Sequence, residues 1–106
     1  ETKLTENAKI QLQEFIEKIV GEREEEYVNF FNDAQAINMR LHRFELLPGF
    51  GKKHTKEIIS AREEKSFESF EDMKSRISNL PDPKRAIEKR IFEEIVENPR
   101  QRLFVL

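Results

Sequence analysis

The feature of this sequence that most constrains its fold is the stretch LLPGFGKKHTKEII, residues 46–59. Two of the three glycines of the chain, Gly49 and Gly51, lie two residues apart in it, with a proline before them and a lysine pair after them. Glycine adopts positive φ angles without a side-chain clash, so this segment predicts a tight turn. The residues that follow have helical periodicity over 52–63, and the turn is therefore predicted to open directly into a helix.

The rest of the chain also predicts helices. Glu, Lys, Arg, Ile, Leu and Ala dominate the composition, and these residue types favour helices. Apolar residues recur at spacings of three and four along most of the chain. The predicted helical stretches are 5–21, 22–34, 35–46, 52–63, 69–77 and 82–98. We therefore expect an all-α fold, a compact domain of five to six helices.

Helix caps and inward faces can also be predicted. Thr5, Ser69 and Asp82 stand where N-cap residues are expected, and a proline after Asp82 suits the first helical position. The predicted inward face of the first helix consists of Ala8, Leu12, Phe15, Ile16 and Ile19. The predicted inward face of the last helix consists of Ile87, Ile91 and Ile95.

Charge is unevenly distributed along the chain. The net charge is -2, but residues 1–39 hold four Lys/Arg and nine Asp/Glu (-5), and residues 40–106 hold fifteen and twelve (+3). A basic region beside an acidic one suggests a partner with phosphates on one side, although a solvated, salt-bridged helical surface explains the charge equally well. We divide the chain into an acidic helical segment, 1–35, a central helical domain, 36–98, and an apolar tail, 99–106.

The composition argues against several classes of protein. There is no cysteine, which fits a reducing, cytoplasmic compartment, and no apolar run long enough for a transmembrane helix. The only histidines, His42 and His54, are twelve residues apart and predict no zinc site. No Ser-His-Asp grouping, P-loop or dinucleotide fingerprint is present. We expect His54 to hydrogen-bond to the turn, and His42 to lie on a basic edge or a solvated helix face.

The turn and the helix start together predict an anion site. The N–H groups of Gly51, Lys52 and Lys53 have no partner within the helix and lie at the positive end of its dipole. The lysine side chains add charge, and a nucleic-acid phosphate is the natural occupant, bound without sequence readout. A plain helix–helix connection is the simpler interpretation of a lone Gly-x-Gly. The predicted contacts are Gly49, Gly51, Lys52, Lys53 and Lys56, with auxiliary contacts at Lys84, Arg85 and Lys89.

A second Leu-Pro pair suggests an internal repeat. Leu47–Pro48 aligns with Leu80–Pro81, and Asp82 and Lys84 then replace the two glycines. We interpret the two copies as helix-hairpin-helix units packed about a pseudo-two-fold axis, with the second degenerate. Chance recurrence of Leu-Pro turns is the alternative. Asp82 is expected to cap a helix rather than to face a phosphate.

The stretch LLPGFGKKHTKEII resembles the helix-hairpin-helix motif of DNA- and RNA-binding proteins, in a SAM-like arrangement similar to domain 2 of RuvA. Together with FESFEDMKSRI, LPDPKRAIEKRIFEEI and the terminal RLFV, it resembles the archaeal-type family called domain of unknown function 655 over essentially the whole chain. Members of that family are described as predicted RNA-binding proteins, and an OB-like region precedes this part in them. The resemblance implies a C-terminal fragment that lacks this region.

The resemblance also implies particular ligands. Phosphate would be held by the amides of the two hairpin glycines and Lys52, and RNA is favoured over DNA. By similarity to some helix-hairpin-helix proteins, a monovalent cation, K⁺ or Na⁺, would be held by the carbonyls of Glu45, Leu47 and Phe50. The side chain of Phe50 itself is expected to turn inward as the anchor of the turn.

Enzymatic interpretations are weaker. In lyase-type glycosylases with this motif a lysine stands where Lys53 does, but they also need a catalytic aspartate. Glu71 and Asp72 are better explained as acids at a helix start, and the chain is too short to enclose a flipped base. We therefore expect no enzyme and no cofactor other than the cation. The alternative function is a helical protein–protein interaction module. Its RLFVL tail is too short for a sheet of its own, so we expect it to dock on another surface or to pair with the missing N-terminal region, which would then be a partner.

Overall fold

The computed structural model describes residues 5–97, 99 and 102–105. Over this part the chain forms five α-helices and one 3₁₀ helix, and its only extended pairing is a single β-bridge between Ala36 and His42. The elements are α1 (Glu6–Glu22), α2 (Glu24–Asp33), the 3₁₀ helix (Arg43–Leu46), α3 (Lys52–Glu64), α4 (Phe70–Arg76) and α5 (Pro83–Val96). The predicted all-α class and number of helices are confirmed.

The three predicted N-caps are present. Thr5 Oγ1 accepts a hydrogen bond from an amide of α1 at 3.1 Å, and Ser69 Oγ accepts one from α4 at 2.9 Å. Asp82 Oδ1 accepts from two amides of α5 at 3.1 and 3.3 Å. Each cap satisfies N–H groups that the helix leaves unpaired, which is why the sequence locates these helix starts well.

One apolar core joins all the elements. α5 packs against α1 and α4, while α2 packs against α1 and α3. The acidic segment 1–35 and the central domain 36–98 both contribute to this core. Its buried members are Ile16, Val20, Val28, Phe31, Phe44, Leu47, Phe50, Ile58, Phe67, Phe70, Met73, Ile77, Ala86, Ile87 and Ile91.

Two residues predicted to face inward are exposed. Phe15 keeps 60% of its surface and Ile95 keeps 45%. α1 buries Ile16, as predicted, together with Val20, and α5 buries Glu94, whose carboxylate has hydrogen-bond donors inside the protein. Along α5 the buried face therefore includes Glu94, whereas apolar periodicity alone predicted burial of Ile95.

The helix predicted over 35–46 is not formed as such. The side-chain oxygen of Asn38 accepts hydrogen bonds from the amides of Arg40 (2.8 Å) and Leu41 (3.0 Å), and the Ile37 amide donates to the Leu41 carbonyl at 2.8 Å. Local side-chain bonds of this kind compete with helical hydrogen bonds. The chain therefore makes a closed loop and becomes helical again only in the short 3₁₀ helix.

Residues 103–105 of the predicted tail lie against the core. The ring of Phe104 makes edge-to-face contacts with Tyr27 and Phe30, at centroid distances of 5.7 and 5.0 Å. Leu103 and Val105 are partly buried beside it. Residues 103–105 of the tail therefore dock on helices of the same protein, which is one form of the predicted docking.

Within the described residues, no helix has the combination of length and hydropathy that crossing a bilayer requires.

Candidate nucleic-acid interface

A tight turn connects the 3₁₀ helix to α3. The Phe50 amide donates to the Leu47 carbonyl at 3.1 Å, and Gly49 has a φ of 84°. Proline in the second position and a positive φ in the third are the features of a type II turn. The predicted turn is present, and Phe50 is buried as its anchor, with its ring centroid 6.2 Å from that of Phe31.

The second glycine of the turn has a different role from the first. Gly51 is the N-cap residue of α3, and its φ of -125° is open to any residue type. A Cβ built on Gly51 would meet no atom within 4 Å. The fold therefore does not need glycine at this position. Because Gly51 has no side chain and is exposed, the backbone at this position is accessible from outside.

The start of α3 lacks the side-chain cap that α1, α4 and α5 have. Within the described residues, no side chain accepts a hydrogen bond from the amides of Lys52, Lys53 or His54, and α3 has no acid in its first turn. The Gly51 amide, predicted to hold phosphate, instead donates to His54 Nδ1 at 3.3 Å. His54 thus has the predicted structural role. Within the described residues, the donors that remain without an acceptor at this helix start are the amides of Lys52, Lys53 and His54.

The side chain of Lys52 is directed toward the loop before the 3₁₀ helix. Its Nζ donates to the Arg40 carbonyl at 2.6 Å and to Glu45 Oε1 at 3.1 Å. The His42 amide, followed by Lys52, holds the pKa of the Glu45 carboxyl below its usual value, so Glu45 stays charged. Lys52 therefore contributes less net charge to a phosphate site than the sequence suggested.

Lys53 and Lys56 are the cations that remain available on α3. Both are exposed, and neither forms a salt bridge with any of the described residues. Of the carbonyls predicted to hold a cation, that of Leu47 already accepts the hydrogen bond of the turn and keeps one lone pair. Among the residues that the structure describes, no group of three or more metal-ligating side chains occurs.

The second Leu-Pro segment has a different geometry. Asp82 caps α5, as predicted, with a φ of -57°, and the left-handed residue is Asn79, with a φ of 61°. α5 begins 31 residues after α3, whereas the Leu-Pro pairs are 33 apart. Lys84, predicted as an auxiliary contact, forms a salt bridge with Glu88. The amides at this helix start are occupied by the carboxylate cap.

The two Leu-Pro segments nevertheless face one another. Pro48 and Gly49 of the first segment and Pro81 of the second line a cleft of about 240 Å³. Arg85 and Lys89 of α5 are part of the same lining, and so is Asp82, whose carboxylate caps α5. Both cations are exposed and form no salt bridge within the described part of the chain. Two of the three predicted auxiliary cations are therefore brought next to the turn.

His42 is neither on a basic edge nor on a solvated face. It is 7% exposed, and its Nδ1 accepts the Phe44 amide at 3.1 Å, which caps the 3₁₀ helix. Burial, and then the nearby Arg62 guanidinium, lower the pKa of the imidazole. This role had a signal in the sequence, because a polar residue three positions before Glu45 fits a capping box.

A buried charged pair behind the turn was missed from the sequence. Arg90 Nε donates to Glu94 Oε2 at 2.9 Å, and Arg90 Nη1 reaches the carbonyl of Leu46, next to the turn, at 3.4 Å. The carboxylate of Glu94 also accepts the amides of residues 103–105. An Arg-Glu pair at i,i+4 was visible in the sequence, but such pairs usually lie on the surface.

The fold and the site together define a small all-helical protein in which a glycine turn opens onto an uncapped, lysine-bearing helix start. The chain belongs to the family described as "Protein of unknown function (DUF655)", which matches residues 1–106. This confirms the family resemblance seen in the sequence.

Two archaeal relatives support this assignment. The "Uncharacterized protein MJ0038" of Methanocaldococcus jannaschii is 39% identical over 102 residues, which is 96% of this chain and 46% of that protein. The crystal structure of Af1531 from Archaeoglobus fulgidus, of the same family, is 41% identical and superposes with a TM-score of 0.88, covering 98% of this chain and 58% of that one. The chain thus spans about half the length of these relatives.

Proposed function

We propose that this protein binds the phosphate backbone of nucleic acid without sequence readout, and that it catalyses no reaction. The observation that carries the proposal is the start of α3. There an exposed glycine, three amides without a side-chain acceptor and a lysine with no salt bridge within the described residues, Lys53, occur together. An anion is the ligand that such a helix start favours, because the amides point at it and the dipole attracts negative charge.

The surroundings of this helix start favour a polymer over a single free anion. Lys56 lies one turn further along α3, and Arg85 and Lys89 line the cleft beside Gly49. Cations spaced along a surface match successive phosphates, whereas one ion would need only one of them. We take the contacts to be the amides of Lys52 and Lys53 and these exposed side chains.

RNA is the form of nucleic acid that we favour, on the family resemblance alone. A K⁺ or Na⁺ ion at the carbonyls of Glu45, Leu47 and Phe50 and a cytoplasmic location belong to the same proposal. No sequence preference is expected, because contacts to phosphate position a protein on its ligand without reading bases.

The alternative function, a protein-interaction module, has one observation in its favour. Ile10 and Phe15 on α1 keep 50% and 60% of their surfaces exposed. The apolar tail gives it less support than expected, because Phe104 packs within the protein itself. A failure to bind any nucleic acid at low salt would favour this alternative.

The test is a charge reversal at the helix start. We expect Lys53→Glu to weaken binding to single-stranded RNA at least tenfold, because it removes one phosphate contact and places a carboxylate beside the amides. For two to four phosphate contacts, log affinity should fall with log salt at a slope of roughly -1.5 to -3, and the variant should reduce that slope by about 0.7. Fluorescence anisotropy over a salt series measures both quantities.

Lys65→Glu is the matched control. Lys65 is also exposed but is the C-cap residue of α3, about 18 Å along the helix axis from Lys53 at 1.5 Å per residue, where it forms an exposed salt bridge with Glu68 at 2.9 Å. Loss of an exposed pair of this kind costs at most about 1 kcal/mol of stability and no phosphate contact. Both variants change the net charge by the same amount. Equal losses of affinity in the two variants would show that binding follows net charge, and that the start of α3 is not the site.

A further inference from the structure

The loop of residues 36–42 holds one side chain entirely in solvent. A β-bridge joins Ala36 to His42, and the amides of Ile37 and Asn38 both donate to the Leu41 carbonyl, at 2.8 and 3.1 Å. At the tip of this closed loop, Met39 has a relative exposure of 104%. Among the residues that the structure describes, the other exposed large apolar side chains lie on helices and keep at most 60% of their surface. The fold makes no use of the Met39 side chain.

A hollow of about 320 Å³ lies between this loop and α3. Its lining includes Met39 and Arg40 from the loop, and Lys52, Lys56 and Ile59 from α3. This volume is at the lower end of the roughly 300–1,000 Å³ range of small-ligand sites, which suits one nucleotide rather than a duplex. Met39 and Ile59 give the hollow an apolar component beside its charges.

The charge of the hollow is positive. Glu45 also contributes to the lining, but its carboxylate is paired with Lys52 at 3.1 Å and accepts the His42 amide at 3.1 Å. The charges of Arg40 and Lys56 remain, since neither side chain forms a salt bridge within the described residues. The hollow therefore offers two cations for phosphate next to an exposed thioether.

We propose that this loop contacts an unstacked base of a single-stranded nucleic acid, with Met39 against the base and Arg40 and Lys56 at the adjoining phosphates. This inference rests on the proposed function and adds a second contact element to the start of α3. The thioether of methionine is polarizable and packs well against aromatic rings. In a single strand the base faces are accessible, whereas in a duplex Met39 would have to unstack a base step at a cost in free energy.

The test compares a fluorescent oligouridylate with an RNA duplex of the same length. Met39→Ala should weaken binding to the single strand by about two- to tenfold, as expected for loss of one sulfur–aromatic contact. It should leave duplex binding and the salt slope unchanged, because no phosphate contact is lost. Arg40→Gln should lower both the affinity for the single strand and the salt slope. Since both side chains are exposed, circular dichroism should show the wild-type fold.

Ile10→Ala is the control, because it removes an exposed apolar side chain from α1 and should not change either affinity. Wild-type affinity of Met39→Ala for the single strand, or an equal loss for the duplex, would overturn the role of the loop. If Lys53→Glu still weakened binding, the proposed function would stand. If the wild-type protein bound neither probe at low salt, the proposed function would fail and the loop contact with it.

Discussion

At Gly49 the backbone has a φ of 84°, which an alanine would adopt only with a strain of about 1–2 kcal/mol. At Gly51 the backbone is extended and a Cβ would meet nothing within 4 Å. The turn therefore requires the first glycine, whereas the fold does not require the second, which leaves the helix start exposed. Sequence spacing alone treats the two as equivalent.

The accessible position at Gly51 leads to a prediction in which stability and binding change in opposite directions. Gly51→Asp supplies a side-chain cap and a negative charge to the first turn of α3, which should raise the free energy of unfolding by up to about 1 kcal/mol. The same carboxylate would occupy the amides that we assign to phosphate, so RNA affinity should fall at least tenfold. Urea denaturation and fluorescence anisotropy measure the two effects.

A neutral cap separates the contributions of charge and occupancy. Gly51→Ser can accept the same hydrogen bonds without adding a charge, so its loss of affinity should be smaller than that of the aspartate variant. Unchanged RNA affinity in Gly51→Asp, with the expected gain in stability, would mean that phosphate does not bind at these amides.

At the scale of the elements, the 3₁₀ helix depends on a neutral histidine. His42 Nδ1 accepts the Phe44 amide, and burial lowers the pKa of the imidazole below its value in the unfolded chain. Protonation in the folded state would remove the acceptor. Between the folded and unfolded pKa values the unfolded chain binds the proton more readily, so stability is present above that window and is lost as pH falls through it.

We therefore expect the free energy of unfolding to decrease as pH falls below about 6.5, the ordinary histidine value. His42→Asn keeps a capping acceptor but cannot titrate, so its stability should be lower at neutral pH and flatter over this window. The pKa values of Glu45 and Asp72 are lowered by hydrogen bonds from backbone amides, so their contributions are lost only at more acidic pH. Thermal denaturation of the wild type and of His42→Asn across a pH series measures these changes in stability. Equal pH slopes in the two proteins above the carboxyl range would contradict the prediction.

The helices show which elements a sequence can predict. Starts at Thr5, Ser69 and Asp82 were predictable because a side-chain acceptor marks each one locally. The region 35–46 was not, because its apolar spacing is helical while Asn38 binds nearby amides instead. Apolar periodicity indicates which face of a helix could be buried. It carries no information on side-chain hydrogen bonds, such as those of Asn38, that compete with helical ones.

The candidate site was predictable to a similar extent. The turn and its glycines are local features, and the sequence located them. The pairing of Lys52 with Glu45 depends on how a loop folds back onto α3, and the position of Arg85 and Lys89 depends on the packing of α5. Contacts of these kinds are set by tertiary structure. Composition and spacing could therefore identify the candidate residues, but not which of their charges would be left without a salt-bridge partner.

At the scale of the whole molecule, one aromatic cluster connects the tail to the turn. Phe104 contacts Phe30, Phe30 contacts Phe31, and Phe31 stacks on Phe50, with centroid distances of 5.0, 5.3 and 6.2 Å. Behind this cluster, Arg90 reaches the Leu46 carbonyl while its partner carboxylate accepts amides of the tail. The turn and the tail are therefore parts of one packed structure.

The buried carboxylate should be important for stability. Glu94→Gln keeps the size of the side chain but replaces one acceptor oxygen with a donor facing backbone amides and Arg90. We expect the free energy of unfolding to fall by about 3 kcal/mol, as for other broken buried pairs. Hydrogen exchange should also show faster opening of the turn amides.

Glu93→Gln is the matched control, because Glu93 also approaches Arg90, at 3.7 Å, but is 38% exposed. Its effect should stay below about 1 kcal/mol, in the range of surface pairs. A loss in Glu94→Gln no larger than this would show that the tail is not held by the carboxylate.

The hydrogen bonds to Glu94 also set an order of events during biosynthesis. Its carboxylate lies in α5, but three of its donors belong to residues 103–105, which the ribosome adds about ten residues later. Until those residues emerge, Glu94 lacks these donors and the aromatic cluster lacks Phe104. The turn would thus reach its final packing only after the tail has been translated, although all of its own residues were made earlier.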